Sequence, residues 1–202
     1  SGDYLIVQLA EPINTDDQPM ALLVTRIDGD NFDDLLVAEF GAAQMSVFLG
    51  DGAGGLLFSH SIPVGNGPIA MTQGHFNGDL NIDIVVANAI DNNLSVMIGD
   101  GAGSFVANSQ LPVGAIPHDV VTADFDGDTF LDLAIANFNG TSVTIYQGDG
   151  AGGFNLFKTY PLLQGLRAIT YGQINGDSLL DLAVVSSQED RLIPMFNLGS
   201  IP

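Results

Sequence analysis

The sequence predicts an all-β fold of four repeated sheets, on three observations. First, the Gly-Asp pairs of "IDGDNFDDLLVAEF", "FNGDLNIDIVVANA", "FDGDTFLDLAIANF" and "INGDSLLDLAVVSS" end at Asp30, Asp79, Asp128 and Asp177, a constant step of 49 residues. Second, "GDGAG" recurs at Gly50, Gly99 and Gly148, and "PVG" at Pro63 and Pro112 with Pro161 in register, on the same step. Third, glycines and Asn/Asp clusters interrupt the chain every 8–15 residues and leave short apolar runs without helical period. Four short strands in a unit of this length are the pattern of a β-propeller blade.

The third repeat justifies the elements in order. "DVVTADF" (119–125) alternates apolar and polar residues and reads as a strand. An aspartate loop follows. "DLAIANF" (132–138) is apolar on both faces, as a strand buried on both sides must be. "TSVTIYQ" (141–147) alternates again, "GDGAGG" is a hairpin tip, and "FNLFKTY" (154–160) is a fourth strand. The fourth repeat stops where its fourth strand is due, and "YLIVQLA" (4–10) stands ahead of the first repeat in that missing register. Residues 1–202 are therefore expected to form a single propeller of four blades of four antiparallel strands, with residues 4–10 completing the last blade and removing two sheet edges.

Composition narrows the function. Four Lys plus Arg against 24 Asp plus Glu give a net charge of −20. Such a surface has no basic patch for nucleic acid phosphates or anionic membranes. Metal cations, basic ligands and neutral ligands such as sugars remain open. Cysteine is absent, which removes disulfides, thiolate catalysis and thiolate zinc sites. No apolar run reaches the length of a membrane-spanning helix.

The aspartate loop carries the clearest chemistry. Counting from residue 124, Asp124, Asp126 and Asp128 fill positions 1, 3 and 5, the Phe130 carbonyl is available at position 7, and Asp132 fills position 9. Oxygen-only ligands at this spacing suit calcium, which takes 6–8 oxygens in flexible geometry. Gly127 lets the loop turn. The fourth loop offers Gln173, Asn175, Asp177, Leu179 and Asp181, and the second offers Asn77, Asp79, Asn81 and Asp83 behind His75. Both keep two carboxylates and are weaker candidates. The first has Asp28, Asp30 and Asp34, but Arg26 takes position 1, where its guanidinium is expected to replace a metal.

"ADFDGDTFLDLAIANF", followed by "GDGAGGF" and with "PVG" ahead of it in the same repeat pattern, resembles the FG-GAP/VCBS repeat of integrin α-subunit propellers and many bacterial secreted proteins. The likeness covers nearly the whole chain. It implies a propeller with calcium in the loops between the first and second strands of blades, and an extracellular or cell-surface setting. It also implies a ligand, glycan or protein, on the opposite face. That face would carry Asn14 to Pro19, Gly65 to Pro68, Gly114 to His118 and Gln164 to Arg167, with Asn88 to Asn93, Asn137 to Gly140 and Ser187 to Asp190. Arg26, His75 and Gln173, and four repeats where seven are commoner, depart from the family pattern.

Catalytic signals are sparse, and no enzyme activity is expected. No serine has a nucleophile-elbow setting. "GDGAGG" lacks the Lys-Ser/Thr ending of a phosphate loop, and Asp51, Asp100 and Asp149 would repel phosphate. A calcium-dependent polysaccharide lyase would need a cation beside a base, and Arg167 with His118 or Tyr171 is the combination available. The principal expectation is a calcium-structured binding or adhesion module, monomeric or homo-oligomeric. The alternatives are that lyase-like enzyme and a structural unit that assembles with its own copies.

Overall fold

A computed structural model describes residues 12–199. They form fifteen strands in four antiparallel sheets. The first sheet holds β1 (Pro19–Thr25), β2 (Asp34–Glu39), β3 (Gln44–Gly50) and β4 (Leu56–Pro63). The second holds β5 (Pro68–Gly74), β6 (Asp83–Asn88), β7 (Asn93–Gly99) and β8 (Phe105–Pro112). The third holds β9 (Pro117–Ala123), β10 (Asp132–Asn137), β11 (Ser142–Gly148) and β12 (Phe154–Pro161). The fourth has β13 (Leu166–Gly172), β14 (Asp181–Ser186) and β15 (Arg191–Met195). Within each sheet the strands pair in chain order.

The repeat period thus became one sheet per unit, with the predicted strands displaced by one or two residues. The first strand of the third unit stops at Ala123, not Phe125, because the Phe125 amide leaves the ladder and donates to the Asp132 carboxylate at 2.9 Å. The expected strand over 4–10 lies outside the described residues.

The sheets stack in chain order: β1 and β2 pack on β5, β5 and β6 on β9, and β9 and β10 on β13. One apolar core fills each junction. Leu36, Met45 and Val47 meet Ile84, Val86 and Met97 in the first. Val85, Leu94 and Val96 meet Val120, Leu133 and Ile135 in the second, and Ala134, Ala136 and Val143 meet Leu166, Ile169 and Val184 in the third. Every residue of β6 and β10 is buried, since each strand serves a core on both faces. That explains their unbroken apolar runs. The described residues form an open row of four sheets, and the self-closed ring expected through residues 4–10 falls outside them.

Two backbone devices repeat. At each "GDGAG" tip an aspartate side chain caps the turn. Asp51 Oδ1 accepts from the Ala53 and Gly55 amides at 2.8 Å, and Asp100 and Asp149 do the same at their own tips. These bonds hold the Asp51 and Asp100 carboxyls below the usual carboxylate range. The glycine that opens the tip is needed for space: a Cβ on Gly99 would lie 2.1 Å from the Ile82 carbonyl oxygen.

Asp119 ties the third sheet to the fourth. Its Oδ1 accepts from the Val120 amide and its Oδ2 from the Ile169 amide, each at 2.9 Å. Burial pushes its carboxyl above the ordinary value, against these two bonds and the neighbouring His118. A raised folded pKa means that the acid contributes most below its unfolded pKa. That contribution fades as pH climbs through the folded value. Asp119→Asn keeps an acceptor for Ile169 but cannot titrate. Its urea midpoint, set against wild type, should therefore fall further behind at pH 4 than at pH 7; a gap independent of pH would refute the assignment.

Candidate metal centre

The loop between β9 and β10 gathers three carboxylates. Asp124, Asp126 and Asp128 each place an oxygen within 4.8 Å of the others, the one such group among the described residues. The loop is held open by its own side chains acting on its backbone. Asp124 Oδ1 accepts from the Gly127 amide at 2.7 Å and its Oδ2 from the Thr129 amide at 2.9 Å. Asp126 Oδ1 accepts from the Asp128 amide, and Asp128 Oδ1 from the Phe130 amide. Gly127 at φ 84° and Thr129 at φ 79° make the turn. For a β-branched residue this is strained, and the turn recurs in the other three loops, with Asn31, Leu80 and Ser178 at φ 71°, 68° and 73°. Across the cluster, the Gln147 amide group donates to Asp126 Oδ2 as its single side-chain partner.

The second and fourth loops neutralise themselves. In the second, Asn77 Nδ2 donates to Asp79 Oδ2 at 2.9 Å, and His75 Nδ1 donates to the Asn81 carbonyl at 2.7 Å, joining positions 1 and 7 without a cation. Asp79 is held low by the Asn81 amide and Asn77. In the fourth, Asn175 Nδ2 donates to Asp177 Oδ2 at 2.8 Å, the Leu179 amide donates to Asp177 Oδ1, and Gln173 Nε2 reaches the Ser178 carbonyl. In the first, the Asp30 amide donates to Asp28 and the Phe32 amide to Asp30. Arg26 does not enter that loop's carboxylates as expected. Its Nε pairs with exposed Asp33 at 2.9 Å and makes no ion pair with Asp28, Asp30 or Asp34.

The position-9 aspartates do something the spacing did not reveal. Asp132 is buried, outside the three-carboxylate group, and clamps the loop to the next hairpin. Its Oδ2 accepts from Phe125 and its Oδ1 from the Gly148 amide at 3.0 Å. Asp34 binds Ile27 and Gly50, Asp83 binds Phe76 and Gly99, and Asp181 binds Ile174 and Asn197 in the same manner. Burial, helped by Asp126 and Asp128, pushes the Asp132 carboxyl to about 6, against its two backbone bonds. The recurring signal was present in the sequence: an aspartate opening every second strand, including the loops poor in other ligands. The Phe130 ring packs over Gly150, where a Cβ would lie 2.3 Å from it, while the Phe130 backbone stays in the loop.

The opposite end of the sheets brings His118, Phe138 and Arg167 together. His118 Nδ1 donates to the Arg167 carbonyl at 3.0 Å, the His118 and Phe138 ring centroids are 5.8 Å apart, and the Arg167 guanidinium lies 5.4 Å from the Phe138 ring. Asn66 is held by Asp91, and Arg167 Nε donates to Ser187. Tyr171 sits at the other end of β13, its ring edge-on to Phe125, and does not join Arg167.

This architecture is similar to that of several solved proteins. A functionally unknown protein from Desulfotomaculum acetoxidans DSM 771 superposes with a TM-score of 0.59 at 16% identity, over 90% of this chain and 58% of that one. BBS1N in its complex with ARL6DN gives 0.62 at 10% identity, over 90% and 58%. A protein from Lactobacillus plantarum gives 0.59 at 15% identity, over 91% and 56%. This chain thus spans under two thirds of their lengths, and the likeness is one of fold. No curated protein matches the chain in sequence. The FG-GAP-like repeat model matches residues 75–135 and 124–184, two overlapping spans that take in the three-carboxylate loop. The chain therefore belongs to the FG-GAP-like repeat family.

Proposed function

We propose that the four sheets are blades of a propeller that binds one calcium ion for structure and presents a ligand-binding face at its other end. The observation that carries the reading is the contrast between loops. Asp124, Asp126 and Asp128 crowd three carboxylates together with one neutralising amide, whereas Asn77 and Asn175 neutralise their own neighbours. Like charges so close favour a hard cation between them. Asp124, Asp126 and Asp128, with the Phe130 carbonyl, would hold it, and Asp132 would anchor the loop behind them.

The ligand is a glycan or a protein surface, met in an extracellular or cell-surface setting. Support comes from the family pattern and from the half-buried Phe138 ring, flanked by His118 and Arg167 and next to exposed Asn139, groups that can pack on and hydrogen-bond a sugar. Calorimetric titration of chelator-treated protein with calcium should give about one site per chain. Three or four sites would mean that the self-neutralised loops also bind, and none would refute the metal. On an immobilised glycan array, wild type should bind and Arg167→Ala should not; silence from both would leave the protein-ligand arm.

A further inference from the structure

At the end opposite the metal loop, the third and fourth repeats depart from the first two, and the repeat supplies its own control. Positions 49 residues apart meet the same demands of strand and sheet. A residue type present in some repeats and absent from others is therefore not required by the scaffold. The second residue of each first strand is Met20 in β1, Ile69 in β5, His118 in β9 and Arg167 in β13. Two apolar side chains give way to a protonatable ring and a guanidinium. The residue after each second strand is Phe40, Ala89, Phe138 and Ser187 in turn. The junction of the third and fourth sheets thus gathers His118, Phe138, Arg167 and Ser187.

The cation there is held in place without a counter-charge. Arg167 Nε donates to Ser187 Oγ at 3.2 Å, and its guanidinium lies 5.4 Å from the Phe138 ring centroid, in cation–π range. The backbone beneath is tied across the junction. The Gly165 amide donates to the Phe138 carbonyl at 2.9 Å, the Ser187 amide to the Gly165 carbonyl at 2.9 Å, and the Ile169 amide to Asp119. The bond from His118 Nδ1 to the Arg167 carbonyl leaves Nε2 for a ligand. The chain holds 24 Asp plus Glu, yet the one ion pair among the described residues is Arg26 with Asp33. Asp119 spends its oxygens on the Val120 and Ile169 amides, and Glu189 and Asp190 are exposed and unpaired with Arg167. Both terminal amino groups of Arg167 are without a partner among the described residues.

We propose that this cluster recognises a carboxylated sugar, a uronic or sialic acid residue of a glycan. The proposal rests on the glycan arm of the reading above and names its ligand class. The terminal amino groups form a planar fork that meets a carboxylate in two parallel hydrogen bonds. Phe138 and Ser187 hold the fork ready, so little side-chain freedom is lost on binding. His118 Nε2 and exposed Asn139 can bond the surrounding hydroxyls. A sugar fits better than a protein side chain because Asn139, Ser187 and Gln188 are exposed and polar, whereas protein partners anchor on large apolar or aromatic groups. The net charge of −20 repels a long polyanion, so the site reads a single carboxylate at close range.

The test sets glycans ending in a uronic or sialic acid beside the same glycans methyl-esterified at the carboxyl, on one immobilised array at about 0.15 M salt. Wild type should hold the acids about tenfold more tightly than the esters, the scale of one charge-assisted hydrogen bond. Arg167→Ala should remove that preference, and Arg167→Lys should keep part of it, because an ammonium lacks the fork. Lys158→Ala, whose cation lies over Tyr160, should match wild type. Acids and esters held alike would overturn the carboxylate and keep the glycan reading; silence toward every glycan would overturn both. Wild type alone decides these two outcomes, so a variant that does not fold leaves the test standing. A preference that survives Arg167→Ala, or an Asp/Glu-rich peptide held more tightly than every acidic glycan, would also overturn the assignment.

Discussion

Saturating calcium is expected to raise the unfolding midpoint of this protein, and Asp126→Ala is expected to remove most of that rise. An ion that binds the folded chain alone stabilises it by mass action, by about 2.7 kcal/mol at a concentration one hundred times the dissociation constant. For a chain of this length that is roughly 5–11 °C. Asp126 is the informative position because its Oδ2 meets only the Gln147 amide, so truncation removes a cluster charge while Asp124 still caps Gly127 and Thr129. Asp177→Ala in the fourth loop is the control, and its calcium response should match wild type. A rise that survives Asp126→Ala and vanishes in Asp177→Ala would move the metal to the fourth loop.

Asp83→Ala should be the most damaging single change outside the apolar cores. The carboxylate is fully buried and accepts from the Phe76 amide at 2.7 Å and the Gly99 amide at 2.9 Å. Truncation leaves two buried donors without partners, at about 1–3 kcal/mol each, or about 2–6 kcal/mol in all. Asp79→Ala, four residues earlier in the exposed part of the same loop, should cost under about 1 kcal/mol. Urea unfolding of the two variants separates the roles. Equal losses would mean that the position-9 aspartate is a loop residue like its neighbours and no clamp.

The clamp also shows how far the site could be read from residues in order. Alternating carboxylates at 124, 126 and 128 announce a cation loop, because side chains two apart in a tight turn converge whatever the rest of the chain does. Asp132 looks like one more ligand in that list. Its burial and its two amide donors come from Phe125 in the loop and from Gly148, sixteen residues on, and only the folded hairpin brings Gly148 there. Arg26 illustrates the same limit. Spacing puts its charge at the metal position, yet a long flexible side chain takes the nearest open carboxylate, Asp33.

What the sequence by itself determined is the local and periodic part: four units of one length, the strand order within each, the glycine-rich hairpin tips and the loop dense in carboxylates. Those features depend on neighbours a few residues apart, on turn chemistry and on two-faced apolar strands. Only the tertiary structure decided which aspartates are clamps, which loops neutralise themselves, and how the sheets meet. Leu192 and Val143 read alike in sequence, yet one is exposed and the other buried. The physical reason is that burial belongs to the junction between sheets, so an apolar residue in a repeat declares that it needs a partner, and only the assembled row reveals whether it has one.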